Sequence, residues 1–353
     1  MKLAEIGEGR LIASLARRAT GNDQLLVGIG DDAAVVRPAA GADLLLTCDL
    51  LCEDVHFRRA WYDGCPQSLG RKALGASISD IAAKGGRPRH CLVTLAAAAD
   101  VELDFVQRVF DGLAALADEW GVSVAGGDTV GWRDGLLIDV FLTGEVEASR
   151  AILRRGARPG DIIAVTGEFG LARAGLELLE RGARHDRPVP TDYPALDARL
   201  AAATIARQIE TPVRLGEARA IAATGQVRAM SDTSDGLAVQ VHHLCQAGGL
   251  GARLDAAKVP VGRGTAAVAR AAGAAALEWA LWGGEDYELI LAVAPADFGA
   301  VAAATEAAGG AALTAVGEFT AAPDVLLRHG DGSLRRLPNK GYDHFGPRGE
   351  AGG

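Results

Sequence analysis

Six short turns in this chain set a carboxylate beside glycine, serine or threonine. They are Gly28-Ile-Gly-Asp-Asp32, Thr47-Cys-Asp49, Ser77-Ile-Ser-Asp80, Gly126-Gly-Asp-Thr129, Ser231-Asp-Thr-Ser-Asp-Gly-Leu237 and Gly283-Gly-Glu-Asp-Tyr287. Small neighbours let backbone and acid approach something small and charged. So many acids can serve one ligand only if cations neutralise them, because like charges at close range do not all stay ionised. Hard divalent cations suit such oxygens, and Mg2+ typically takes one or two carboxylates plus substrate phosphates and water. Singly, Asp32, Asp49 or Asp80 is as good a turn former or helix cap as a ligand. Six such turns, spread over more than two hundred residues, are poorly explained as independent caps. The pattern points to Mg2+-dependent handling of phosphates.

Other phosphate devices are missing. There is no GxxxxGK[ST] string, the Gly28-Ile-Gly turn lacks the third glycine of a dinucleotide fingerprint, and the protein-kinase signatures are absent. Arginine suits bidentate phosphate recognition, but Arg150, Arg154, Arg155 and Arg158 are equal candidates on sequence. His56 reads equally as a loop histidine or a ligand contact, and Gly341-Tyr-Asp-His-Phe345 as a clamp or a lid. Cys48, Cys52 and His56 fall short of the four ligands of structural zinc. The five cysteines are scattered and lack a CxxC pair, as expected of buried thiols in a reducing compartment.

The elements that must position these turns follow from hydrophobic periodicity and breakers. An amphipathic helix is expected over 5–19. Strands are expected at 34–37, 44–49, 90–96, 122–125 and 136–146, with helices over 66–84, opened by Pro66, and 102–120. After a crossover at 147–158, strands are expected at 161–166, 227–230, 288–294, 313–319 and 325–329. Helices are expected at 171–181, 195–208 and 214–223 and, because alanine favours helix, at 265–276 and 300–312. The acidic turns fall at strand ends or before helices in both halves, so a ligand site drawing on both is the simplest arrangement.

The chain has 353 residues, 49% hydrophobic and 23% charged, which suits two soluble domains. A net charge of -9 argues against binding nucleic acid by phosphate neutralisation. No apolar run is long enough to span a bilayer, and the N-terminus lacks the apolar stretch of a signal peptide, so a cytoplasmic protein with no membrane partner is expected.

Together, GIGDDAA (28–34), DLLCEDVHF (49–57), SDIAAKGGRP (79–88), GGDT (126–129), RRGARPGD (154–161), SDTSDGL (231–237), GGEDYEL (283–289) and GYDHF (341–345) resemble the thiamine-monophosphate kinase family, part of the superfamily that includes aminoimidazole ribonucleotide synthetase. The resemblance implies ATP-dependent phosphorylation of thiamine monophosphate to thiamine diphosphate. It implies several Mg2+ ions held by Asp32, Thr47, Cys48, Asp49, Asp80, Asp128, Asp232 and Asp235. Gly127, Asp128, Arg154 and Ser234 would contact ATP; His56, Glu285 and Tyr342 would contact thiamine monophosphate. No residue is expected to act as a general base. The implied fold is α+β. Two α/β-type domains, 1–148 and 149–345, each carry a mixed sheet with helices packed on it, followed by a mobile tail at 346–353. The N-terminal domain would hold the metal and phosphate site and the dimer interface, and the C-terminal domain the nucleotide and substrate contacts. A homodimer whose N-terminal sheets meet in a barrel-like interface is implied as well. Cys48 stands where the family tends to have Thr or Ser, and Lys84 where Met is common. The alternative within the superfamily is another ATP-dependent synthetase.

Overall fold

The computed structural model describes residues 14–15, 17–18, 21–27, 35–36 and 38–341. Of the expected N-terminal helix only Ser14 and Leu15 are described as helical; its remainder, the Gly28–Ala34 turn and the tail lie outside the described residues. The chain divides into two units, Met1–Ile81 with Gly86–Arg150 and Ile209–Thr211, and Ala82–Gly85 with Ala151–Gln208 and Pro212–Gly353.

In the first unit a short hairpin, β1 (Leu25–Val27) and β2 (Val35–Val36), precedes a mixed four-stranded sheet. The sheet strands are β3 (Ala42–Cys52), β4 (Arg87–Ala97), β5 (Ser123–Gly131) and β6 (Leu136–Glu147), in the order β3-β6-β4-β5. Only β4 and β5 pair in parallel. The alternation of β6 is typical: Leu136, Ile138, Val140 and Leu142 are at most 1% exposed, while Leu137, Asp139, Phe141 and Thr143 face the other way. Helices α1 (Pro66–Ala83) and α2 (Leu103–Trp120) cover the inner face. Ser77 on α1 donates to the Val140 carbonyl at 3.2 Å. The two helices meet at glycines, since a Cβ on Gly70 would lie 1.8 Å from the Val109 carbonyl oxygen and one on Gly112 1.9 Å from that of Gln67.

The second unit holds a seven-stranded mixed sheet of β7 (Ile162–Thr166), β8 (Val227–Asp232), β9 (Gly251–Asp255), β10 (Leu289–Val293), β11 (Leu313–Thr320), β12 (Val325–Arg328) and β13 (Leu334–Arg336), ordered β13-β12-β9-β11-β7-β10-β8. Only β9 and β12 pair in parallel. Its helices are α3 (Leu171–Glu180), α4 (Ala198–Ile209, whose last residue belongs to the first unit), α5 (Leu215–Ala223), α6 (Leu237–Gly248), α7 (Arg263–Ala272), α8 (Ala276–Trp282) and α9 (Phe298–Ala307). All five residues of β10 are fully buried, as in a strand covered on both faces. The core gathers Ile163, Val165, Leu237, Val241, Leu244, Leu254, Ile290 and Phe319.

The mixed sheets with packed helices match expectation; the barrel does not. No sheet among the described residues closes on itself, and the four-stranded sheet is open, with β3 and β5 as its edges. Closure needs a continuous ladder with no unpaired edge, which these four strands lack. The expected helix at 265–276 also ends early: Gly273, with φ +69, closes α7 in a left-handed cap, and a separate helix, α8, begins at Ala276.

Candidate functional site

In the first unit, strand alternation decides which acids share a face. Thr47 and Asp49 on β3 lie on the helix-covered side and Cys48 on the open side. The Thr47 hydroxyl donates to Asp80 Oδ2. Asp80 comes from α1, three residues after Ser77. Burial, then the neighbouring Asp80 charge, pushes the Asp49 carboxyl up to about 6, while the Ser77 hydroxyl beside it pulls the other way. Asp49 Oδ2 is buried with no hydrogen-bond partner among the described residues. An orphaned carboxylate oxygen beside a second carboxylate and a hydroxyl is hard-oxygen chemistry that fits Mg2+. Among the described residues, no three His, Cys, Asp or Glu side chains converge as a ready-made metal cage. Two carboxylates per ion suit Mg2+ when substrate phosphates complete the shell.

On the open face Cys48 donates its thiol to Asp139 Oδ1 at 3.2 Å. That bond, then burial and the charges of Asp139 and Asp49, raise the thiol to about 11, so it is protonated at neutral pH. A thiolate, not a thiol, ligates metals, so the Cys48 side chain is a hydrogen-bond donor here. Asp128 on β5 is exposed and accepts from the Thr129 amide at 2.9 Å. By pairing it falls opposite Thr94 on the open face, away from Asp49. Beside it, a Cβ on Gly127 would sit 1.9 Å from the Val93 carbonyl oxygen, so strand pairing alone requires glycine there. His56 lies in a tight turn that follows β3, with Asp54 at φ +62. Its Nδ1 accepts from the Cys52 amide at 3.0 Å, which places the neutral ring's proton on Nε2.

In the second unit, antiparallel pairing of β8 with β10 sets Asp232 across from Leu289, bringing the Ser231–Leu237 and Gly283–Leu289 segments side by side. The Glu285 amide donates to the Ser234 carbonyl at 2.6 Å and the Tyr287 amide to the Thr233 carbonyl at 3.3 Å. Gly284, Glu285 and Tyr287 have φ of +68, +56 and +50, a left-handed path that side chains rarely take. Asp232 is buried; Ser234 and Asp235 are half-buried, just before α6. Arg154 Nε donates to Ser231 Oγ at 3.1 Å, beside Asp232. Burial, then the Arg154 charge, lowers the His243 imidazole. Lys84 follows α1, and its carbonyl accepts from the Ile152 amide at 3.1 Å. Asp32 and Tyr342 lie outside the described residues.

Several further residues hold the acidic turns in place. Glu288 is wholly buried and takes Arg214 through both oxygens at 2.7 Å, Arg207 at 2.8 Å and the Thr166 hydroxyl at 2.8 Å. Asp286 accepts the Gly170 amide at 2.7 Å and the Ala172 amide at 3.2 Å, while burial pushes its carboxyl up to about 7. Asp286 and Glu288 were visible within the GGEDYEL string. Arg207, Gln208 and Arg214 were not, because nothing local to an arginine or glutamine announces a partner some eighty residues away.

Two domain models match the chain: AIR synthase related protein, N-terminal domain, over residues 30–146, and its C-terminal domain over 158–329. The thiamine-monophosphate kinase of Bacillus subtilis (strain 168) is 33% identical over 339 residues, spanning 95% of this chain and 98% of that one. The crystal structure of thiamine-monophosphate kinase from Stenotrophomonas maltophilia K279a superposes with a TM-score of 0.76 at 28% identity, covering 92% of this chain and 95% of that chain. The solved complex of AaThiL with AMPPCP and TMP gives 0.74 at 30% identity, covering 98% and 99%. The chain therefore belongs to the thiamine-monophosphate kinase family.

Proposed function

We propose that this chain transfers the γ-phosphoryl group of ATP directly, in line, to thiamine monophosphate, yielding thiamine diphosphate and ADP. The observation that carries this reading is one-third identity along nearly the whole chain to kinases of that specificity. It agrees with the acid-rich, histidine-poor chemistry of the turns. The acceptor phosphate has a second pKa of about 6 and is largely ionised at neutral pH, so no side chain needs to remove a proton. The difficulty is bringing two polyanions together. Asp49, Asp80 and Thr47 would hold Mg2+, with Asp32, Asp128, Asp232 and Asp235 as further ligands and Cys48 taking part only through its backbone. When bound, the ions screen the phosphate charges that would otherwise repel each other. Arg154 and Ser234 would orient the ATP phosphates, with Gly127 beside them, and His56, Glu285 and Tyr342 the acceptor.

In this proposal residues 1–148 supply the metal and phosphate ligands and the dimer contact, and 149–345 the nucleotide and substrate contacts. The protein acts as a homodimer in the cytoplasm. Five free cysteines support a reducing compartment, and no described helix is long and apolar enough to cross a membrane. The exposed apolar side chains of the open sheet face, Leu44, Leu46, Leu50, Leu92 and Val130, support a second copy as their cover.

The test is incubation with Mg-ATP and thiamine monophosphate, resolving products by chromatography. Thiamine diphosphate and ADP should form one to one, vanish with EDTA, and fall at least about 100-fold in Asp49→Asn and Asp128→Asn. Mg-ATP binding without thiamine diphosphate would overturn the reading in favour of a sister synthetase's acceptor.

A further inference from the structure

Arg154 lies in the stretch that precedes β7, and its backbone is held against β8. The Met230 amide donates to the Leu153 carbonyl at 3.0 Å, and a Cβ on Gly156, at φ +128, would sit 2.3 Å from the Arg228 carbonyl oxygen. Arg154 is exposed, and its side chain reaches the strand through Nε, which donates to Ser231 Oγ at 3.1 Å. The Ser231 hydroxyl in turn donates to Gln240 Oε1 at 3.3 Å, and the His243 ring faces the same oxygen through Nδ1 at 3.3 Å. Ser231 and Gln240 are 1% and 0% exposed. Gln240 and His243 stand three residues apart on α6 and share a face of it.

Each donor and acceptor in this run of contacts has one sense. A guanidinium can only donate, so Ser231 Oγ must accept from it and place its own proton elsewhere. Gln240 Oε1 takes that proton, and with the His243 proton on Nδ1 two donors converge there, which marks it as the carbonyl end of the amide. Packing does not call for glutamine at this position: its Nε2 is buried with no hydrogen-bond partner among the described residues, which costs stability. A long arginine loses side-chain freedom when it binds a phosphate. One already tied through Nε has lost part of it beforehand, and its Nη1–Nη2 edge can still meet two phosphate oxygens. We propose that Gln240 is a positioning residue for the nucleotide: by taking the Ser231 proton it keeps a hydroxyl lone pair on Arg154 Nε, and so aims the guanidinium at the ATP phosphates. This rests on the reading of Arg154 as an ATP contact; Gln240 acts through Ser231 and Arg154 and does not itself touch ATP.

The test is a double-mutant cycle read by calorimetric titration with the Mg2+ complex of β,γ-methylene-ATP, a non-hydrolysable analogue, so that no acceptor is needed. Arg154→Ala should weaken binding about 30-fold, and Gln240→Met, which keeps the volume but loses the acceptor oxygen, about fivefold. Added to Arg154→Ala, Gln240→Met should weaken binding no further, because both changes remove one interaction. This separates positioning from folding: a shift of α6 that disturbed Ser234 or Asp235 would weaken binding whether or not Arg154 is present. Ser231→Ala breaks the same run of contacts one step nearer the arginine and should match Gln240→Met; it takes that place in the cycle if Gln240→Met does not fold. If Gln240→Met binds the analogue as the wild type does, or weakens binding equally with and without Arg154, the proposal for Gln240 is wrong and the assignment of Arg154 stands. If Arg154→Ala binds as the wild type does, the assignment of Arg154 to the nucleotide fails first, and the proposal for Gln240 with it.

Discussion

Asp49 shows how a single residue can trade stability for ligand binding. Its carboxyl titrates near 6 in the fold, against an ordinary value near 4 in the unfolded chain. Between those values the folded state holds the extra proton, so stability falls as pH rises through the window, and the full cost is present above about pH 6. Asp49→Asn should therefore stabilise the metal-free protein at pH 7.5 by about 1–3 kcal/mol, and by little at pH 4. Thermal melts of both proteins across that range check the sign; a wild type more stable than the variant at pH 7.5 would contradict it. The same substitution removes an anionic oxygen from the proposed ion site, so the stabilised variant should be the inactive one. Cys48 is shifted the same way: held as a protonated donor by Asp139, it should react more slowly with thiol reagents at neutral pH than after denaturation, as a timed labelling experiment would show.

At the scale of elements, glycines do much of the positioning by letting backbones touch. Gly112 and Gly70 bring α2 and α1 into contact, and α1 in turn carries Ser77 and Asp80 over the sheet. Gly112→Ala would thrust a methyl group into the Gln67 carbonyl, so the helices must separate. A loss of about 2–4 kcal/mol in denaturant unfolding is expected, accompanied by weaker Mg2+ binding because Asp80 moves with its helix. Gly127→Ala should cost a similar amount by prising β5 from β4, even in the absence of nucleotide. A Gly127→Ala protein with an unchanged unfolding midpoint and weakened ATP binding would instead mark this glycine as a ligand contact alone.

At the scale of the whole molecule, the open face of the four-stranded sheet sets the question of assembly. Leu44 and Leu46 are each 59% exposed, a high value for leucines on neighbouring positions of one strand face. Pairing Leu46→Glu with Leu92→Glu should convert the proposed homodimer to a monomer in sedimentation equilibrium, with little change in the unfolding of either unit. A wild type that sediments as a monomer at micromolar concentration would end the homodimer proposal. The net charge of -9 adds a second expectation: without Mg2+, affinity for ATP should improve as salt rises and screens the repulsion.

Most of the fold was legible in local pattern. The alternation of Leu136–Glu147 and the long periodic stretches opened by Pro66 and Leu103 belong to strands and helices wherever the chain places them. The acidic turns were legible too, because small residues beside carboxylates are a composition and need no partner to be seen. Short elements were not. β9, β13 and α8 are too brief for periodicity to register and exist because a sheet edge or a neighbouring helix completes them. Nor could sequence tell which acids would meet. Alternation sets Thr47 and Asp49 on one face of β3 and Cys48 on the other, but only the fold decides that the first face lies under α1 and meets Asp80. The support of Glu285 was equally hidden, since Gln208 reaches it across 77 residues of chain. The sequence by itself determined the family, the element types and the hard-oxygen chemistry, all of which reside in residue identity and spacing. Tertiary structure alone decided which oxygens are left unpaired, which thiol stays protonated and which side chains hold which acid, because burial and long-range contact exist only once the chain has folded.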